Sequence, residues 1–391
     1  MADFIFRNSI MKKYLYLITL ISALSTSHLS ALENATCKAC HPKIYNEYQH
    51  SIHANSSIYK DALHKAIWDK HPAKAKGDYS SCAKCHTPSD HDLIAGKTAL
   101  TDNPIQQTEP ISCQACHQIE SIEKHTKTNK NIYTDKKKYF FSADSKKKGQ
   151  KVIFKEEKSF FGLFSKTSGS PYHDIDYSNE GYYNGESCMG CHSHKKGSNG
   201  FMICDLEVKQ GDSKESCVSC HMPQTQGNLA NQKASGTHAF HGSSIRNGTP
   251  THLSKSIALA ITQSDKGFTV TVHNKATHTL FIHSLRLGEL RVSIERAGKT
   301  IMLEPTTFHR VIGKDGKPSM PWLADAVLKD TTLKAHEKRE ITYPEMLQSG
   351  DAVVVALGYH VINPKMAQKL GVDDEALSGF TLLTKKRFNI K

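Results

Sequence analysis

The chain has 391 residues, with 51 Lys and Arg against 38 Asp and Glu for a formal charge of +13, and 23 His. It holds eleven Cys but only two Trp, and 38% of its residues are hydrophobic. That length leaves room for two or three domains. A single apolar run near the N-terminus approaches spanning length, which excludes a polytopic membrane protein, and the apolar residues spread along the chain exclude wholesale disorder.

Residues 11–31 read MKKYLYLITLISALSTSHLSA. Lys12 and Lys13 precede an apolar run from Tyr14 to Leu24, and Ala31 offers a cleavage position. The run is short for a membrane anchor and suits a secretory signal over residues 1–31, with Met11 as the effective start. The mature chain then begins near Leu32. It is expected to be exported to the periplasm of a Gram-negative bacterium, peripheral to the membrane at most.

Ten of the eleven Cys fall into five repeats. These are Cys37-Lys-Ala-Cys40-His41, Cys82-Ala-Lys-Cys85-His86, Cys113-Gln-Ala-Cys116-His117, Cys188-Met-Gly-Cys191-His192 and Cys217-Val-Ser-Cys220-His221. Each is the C-x-x-C-H pattern of c-type haem attachment. Thiols three positions apart reach the vinyl groups of one porphyrin, and the adjacent imidazole turns onto its iron. Disulfides of an exported protein would not place five histidines in register. Structural zinc would need paired half-sites. Five covalently bound haem c groups are expected, and porphyrins then supply apolar volume that side chains would otherwise provide. The motif starts are 45, 31, 75 and 29 residues apart, so the short gaps suggest close pairs at motifs two/three and four/five.

His41, His86, His117, His192 and His221 take one face of each iron. For the other faces a resemblance helps. The run Cys37-x-x-Cys-His-Pro-Lys-Ile-Tyr followed by Ser51-Ile-His53-Ala resembles the opening of multihaem cytochromes related to the tetrahaem cytochrome of ammonia oxidisers. Cys-His-Thr-Pro at 85–88, Ser170-Pro-Tyr-His173, Cys-His-Met-Pro at 220–223, His238-Ala-Phe-x-Gly242 and Asn274-x-x-x-His278 extend the likeness to about residue 290. They look like the superfamily that includes octahaem hydroxylamine oxidoreductases and tetrathionate reductases. That resemblance implies His53, His173, His238 and His278 as distal ligands, with His241 the rival of His238. His194 stands too close to His192 to reach around its haem. For a fifth distal position His64, His71, His91 and His125 compete, or one iron is open. A closed iron transfers electrons only, whereas an open one can bind substrate. The Cys-x-x-Cys-Lys variant of the pentahaem nitrite reductases is absent.

The region Lys124–Lys166 carries 13 Lys and four acidic residues, a net +9. It reads as a hairpin, with aromatic and β-branched runs on either side of Ser145-Lys-Lys-Lys-Gly149. Lysines commonly blunt exposed strands, and the same charge can steer an acidic partner or a small anion. Cys204, the eleventh cysteine, fits a buried strand position or a substrate-binding sulfur.

Beyond about residue 250 the chain lacks Cys and alternates with period two. The sets are Ile257/Leu259/Ile261, Phe268/Val270/Val272, Leu290/Val292/Ile294 and Val353/Val355/Leu357. A β-sandwich of seven or so strands is expected, reaching back with His278, and Trp322 is read as core.

The fold class is therefore α+β: a mostly helix-and-loop multihaem core over 32–250, with the insert at 124–166, followed by an all-β sandwich-like domain over 251–391. The expected function is electron transfer along a chain of haems. The alternative is an oxidoreductase acting on a small nitrogen or sulfur compound at one open iron. The expected partners are redox proteins, a quinol dehydrogenase or other cytochromes, and for the alternative a small inorganic substrate. Nucleic acid is not expected.

Overall fold

Every C-x-x-C-H motif lies on a short helix, because one helical turn brings residues i and i+3 onto the same face. The computed structural model describes residues 34–100, 104–159, 164–208, 216–227, 229–230, 236–242 and 253–391, so the expected signal segment lies outside the described residues. The motif helices are Asn34–Cys40, Ser80–His86, Cys113–His117, Met189–His192 and Cys217–His221. Local chemistry starts several of them. Ser112 accepts a hydrogen bond from the Ala115 N–H, and Ser216 forms a reciprocal capping box with Ser219. Pro42 restarts the chain as the helix Pro42–Gln49 directly after His41. Gly185 has φ +83° and its Cα abuts Cys217, where a Cβ would collide, so the fourth and fifth motifs meet across a glycine.

The helix Ala62–Lys70 is capped by Asp61, whose carboxylate accepts from the Leu63 and His64 N–H groups. Its faces serve two cores. Leu63 joins the large core of the C-terminal half, while Trp68 packs with Tyr79, Ala83 and Leu93.

In the lysine-rich region the two runs flanking 145–149 do not pair with each other. Tyr139–Phe141 runs parallel to Asp174–Asp176, and Lys151–Val152 runs antiparallel to the same strand. The segment after His173 therefore lies between them. Asp176 fixes this arrangement: buried, it accepts from the Tyr139 hydroxyl at 2.6 Å and pairs with Lys151 at 3.1 Å. A true hairpin follows, Lys155–Ser159 against Phe164–Ser168.

The C-terminal half is built from antiparallel sheets. Ile257–Ser264, Gly267–Asn274 and Lys338–Tyr343 form one sheet of three strands. A five-stranded sheet is centred on Leu287–Arg296 and Ala352–His360, with Lys299–Met302, Thr306–Phe308 and Thr381–Asn389 beside them. Burial alternates along Gly267–Asn274 and Leu287–Arg296, as expected of strands with one face inward. Phe268, Val270 and Val272 of the first sheet share one core with Leu290, Val292, Ile294, Val353, Val355 and Leu357 of the second. At Ala297-Gly298 and Asp315-Gly316 both residues have positive φ, the geometry that tight hairpins require. A small third sheet is formed by Arg310–Lys314, Lys317–Pro318 and Ala326–Asp330. The molecule is thus α+β, helical first and largely β afterwards.

The halves are bonded together. Arg310, buried, donates to the carbonyls of Ile203 and Met202, and Asn199 donates to Ala324 O. Trp322 is half-buried, its ring 4.8 Å from that of His71. No helix among the described residues is long and apolar enough to cross a membrane.

Candidate haem sites

All eleven Cys are free thiols, so no disulfide competes for the motifs. The histidines are more telling. His41 faces His173 with ring centroids 6.1 Å apart, and His192 faces His53 at 6.1 Å. His117 faces His241 at 6.2 Å, and His221 faces His278 at 6.3 Å. A metal–imidazole bond is about 2.0 Å and the ring centre lies about 1.1 Å behind its nitrogen, so two imidazoles on one metal stand about 6.2 Å apart. Directly packed rings reach the same spacing, as Phe281 and Phe308 do at 6.2 Å, so what distinguishes these four pairs is that each joins a motif histidine to a histidine from elsewhere. Four pairs at one spacing therefore fit a metal held between each pair.

The remaining ring nitrogens agree. Nδ1 of His117 lies 2.8 Å from Phe141 O, that of His241 2.6 Å from Ala239 O, and that of His278 3.1 Å from Thr279 O. His41 Nδ1 bonds Leu229 O. A carbonyl on Nδ1 fixes the ring and leaves Nε2 to the metal. Ligation also needs neutral imidazole. Burial pushes His53 and His241 down to about 4, with the neighbouring His192 and His117 adding to the effect. Burial likewise lowers His117, His192, His173 and His278.

His238 stands differently. Its fully buried side chain places Nε2 3.0 Å from Glu47 Oε1 and Nδ1 3.3 Å from Gly227 O, so both nitrogens are engaged. The other Glu47 oxygen accepts from the His241 backbone N–H at 3.0 Å. Glu47 thus clasps the segment and turns His241, not His238, toward His117. The choice lay in the strand: His238 sits within Thr237–Ala239 paired to Gln224–Gln226, whereas His241 follows it. A sequence spacing of three residues could not distinguish them.

At the second motif, His64 and His86 ring centroids are only 3.8 Å apart, too close to admit an iron between them. Nδ1 of His64 and of His86 share Ser56 O, at 3.0 and 3.2 Å. His64 therefore buttresses the back of His86, with its Nε2 3.2 Å from the Tyr79 hydroxyl. Of the other candidates, His71 Nδ1 accepts from Ala73 N–H, His91 packs edge-on to Tyr133, and His125 Nδ1 accepts from Lys127 N–H.

His278 comes from the β half. Asn274, fully buried, donates to the carbonyls of His278, Leu333 and Lys334 and so shapes the loop that carries it. Thr279 donates to Glu207 at 2.8 Å, tying that loop to the segment before the fifth motif. Cys204 lies on Met202–Asp205 opposite Lys195, and burial pushes its thiol up, away from a reactive thiolate.

The motifs also touch one another. Asn34, on the helix of the first motif, accepts from the Cys113 N–H at 2.9 Å, Cys191 Sγ lies 3.9 Å from Lys84 O, and Gly185, just before the fourth motif, abuts Cys217. His53, facing the fourth motif, lies within electrostatic reach of His241, facing the third. Motif one therefore adjoins three, three adjoins four, and four adjoins both two and five. The four/five contact is the one expected from the short gap. The flanks of motifs two and three also meet, as the other short gap suggested: the Ser112 N–H donates to Ser89 Oγ at 2.8 Å and the Ser89 N–H to Pro110 O at 3.2 Å.

Residues 36–118 match the protein family described as cytochrome c554 and c-prime. No curated protein sequence matches the chain. Among solved structures, a penta-heme cytochrome c552 from Thermochromatium tepidum aligns with a TM-score of 0.67 at 20% identity, over 92% of this chain and 99% of that one. At that identity the likeness is one of fold. With its attachment motifs on helices and histidines facing them at metal-holding distance, the chain is a multihaem c-type cytochrome, similar over residues 36–118 to the cytochrome c554 and c-prime family.

Proposed function

We propose that this chain carries five covalently bound haem c groups and works as an exported, periplasmic electron carrier. The observation that carries the reading is the set of four histidine pairs at 6.1–6.3 Å, each joining a motif histidine to one from elsewhere. His41 with His173, His192 with His53, His117 with His241, and His221 with His278 would hold an iron on both faces. On these four haems a ligand on each face leaves no position for substrate, whereas His86 of the second motif stands against His64 at 3.8 Å, too close for an iron between them. The haem supplies reversible one-electron chemistry, and the protein supplies spacing, ligands and exposure. The carbonyls on Nδ1 hold the rings of His41, His117, His241 and His278 in one tautomer, and Glu47 sets the backbone of His241. The like haem count in the name of the structural neighbour and the five motifs both support the number. Motif four, adjoining three others, would be the junction of the electron path. The partners would be redox proteins.

Electron paramagnetic resonance of the oxidised protein tests this. Low-spin ferric signals from the four paired haems are expected, with the whole spectrum unaltered by nitrite or hydroxylamine, and any signal that shifts with either ligand would overturn the carrier reading. In the same spectra His241→Ala should expose a high-spin haem and His238→Ala should not. The reverse result would restore His238 as the ligand.

A further inference from the structure

The lysine-rich region is not a detached decoration. Gln118, directly after His117, donates through its side-chain amide to Lys137 O at 2.9 Å and Lys136 O at 3.3 Å. Asp174, directly after His173, donates its backbone N–H to Lys138 O at 2.8 Å. The triplet Lys136–Lys138 is thereby held one residue from a histidine of the third motif and one residue from the histidine facing the first. Phe140 packs edge-on to the His173 ring at 5.5 Å, and Phe141 O receives His117 Nδ1. All three lysines are exposed, and none is in an ion pair among the described residues.

Beside the triplet lies exposed apolar surface. Tyr172 is 59% exposed, Ile153 49% and Phe154 38%. They are neighbours in space: the Phe154 N–H reaches Asp174 Oδ1 at 3.4 Å, and Gly169 approaches Ile153 so closely that a Cβ there would meet its carbonyl at 2.8 Å. An apolar centre with a charged margin is the composition of a transient protein interface. Lys124–Lys166 is strongly positive, 13 Lys against four acidic residues for a net +9, which speeds encounter with a negatively charged body.

We propose that this surface is the docking port for an acidic redox protein, which exchanges one electron with the cytochrome at the end formed by the first and third motifs. The inference rests on the electron-carrier reading. It names which end of the haem array meets the partner and the sign of the partner's charge. In the forward direction the donor is oxidised by one electron and the cytochrome is reduced by one. Ile153, Phe154 and Tyr172 shed water on contact, and Lys136–Lys138 select and orient the donor.

Stopped-flow reduction of the full holoprotein by reduced flavodoxin, a small acidic one-electron donor, tests the port. The wild-type second-order rate constant should fall about tenfold between low and physiological ionic strength. K136E/K137E/K138E should be slower by about tenfold at low salt, with that salt dependence flattened. It should be faster than wild type with a reduced basic cytochrome c as donor. K299E/K365E/K369E, on exposed lysines of the β half, should change the flavodoxin rate by less than about twofold. Equal slowing by the two triple variants would reduce the effect to net charge and overturn the port. So would an unchanged rate in K136E/K137E/K138E. Dithionite reduction separates the two readings: it should be alike in all three proteins, and failure to reduce the wild type would sink the carrier reading itself. Vesicles of anionic phospholipid are the remaining arm. Co-sedimentation of wild type but not K136E/K137E/K138E, with flavodoxin rates unchanged, would assign the surface to a membrane and overturn the proposal.

Discussion

The two halves of this molecule solve the same problem by different means. The C-terminal half buries a continuous apolar core between its sheets, and of the core residues in that cluster only Leu63 comes from the N-terminal half. The N-terminal half offers one small cluster of Trp68, Tyr79, Ala83 and Leu93 beside histidines that face one another in pairs. Its helices are mostly one or two turns long, below the length at which helices stand alone. A half so poor in apolar contacts needs another source of cohesion, and porphyrins clamped between histidines supply both apolar volume and cross-links. The β half has an apolar core of its own, yet it furnishes His278 and shares the Arg310 and Asn199 bonds that fasten it to the segment between motifs four and five.

The sharpest way to break this comparison is to make the chain without haem attachment. Limited proteolysis should then digest residues 34–227 and leave 253–391 as a protected fragment. Equal resistance of both halves would show that the motif region folds on its own side chains.

A smaller effect is expected from a hole in the β core. Phe268, fully buried and stacked on Tyr343 at 5.2 Å, should cost about 3–5 kcal/mol when changed to Ala. Thermal unfolding should show the loss in the far-ultraviolet β signal while the haem absorption bands keep their low-spin form, apart from the share that His278 would ligate. A shift of the remaining bands coincident with the β transition would mean the halves unfold as one.

The smallest effect concerns the sheet beneath the lysine surface. Burial alone would raise Asp176, but hydrogen bonds from Ser178 and Tyr139 and the pairing with Lys151 hold its carboxyl down to about 2. Its folded value is thus below its ordinary 3.8, so its contribution to stability is complete above that ordinary value and is lost as pH falls through about 2. Asp176→Asn should therefore cost about 1–3 kcal/mol at neutral pH, and the difference from wild type should close on acidification below the ordinary value. A gap independent of pH in that range would assign the loss to packing instead.

Much of the fold was legible. Alternation such as Phe268/Val270/Val272 survives in a single sequence because a half-buried strand records its two faces with period two. The lysine-rich region was less so. Its two runs looked like partners, yet both pair with Asp174–Asp176, a strand whose three residues carry little signal of their own. Trp322 was read as core and is half-buried at the junction of the halves, against His71.

What the sequence determined by itself is where haem attaches, since Cys, Cys and His of each motif lie within one helical turn and their chemistry is local. Which histidine faces each motif was decided only by the tertiary structure. His173, His53, His241 and His278 arrive from far along the chain, and His241 prevails over His238 because Glu47 and Gly227 already occupy both nitrogens of the latter. His64, one of four candidates for the fifth distal position, is set aside for an equally spatial reason: its ring stands 3.8 Å from that of His86, too close for an iron between them, and the two share the Ser56 carbonyl. A ring's usefulness as a ligand depends on which of its nitrogens is still available and where it points, and both are properties of the folded chain.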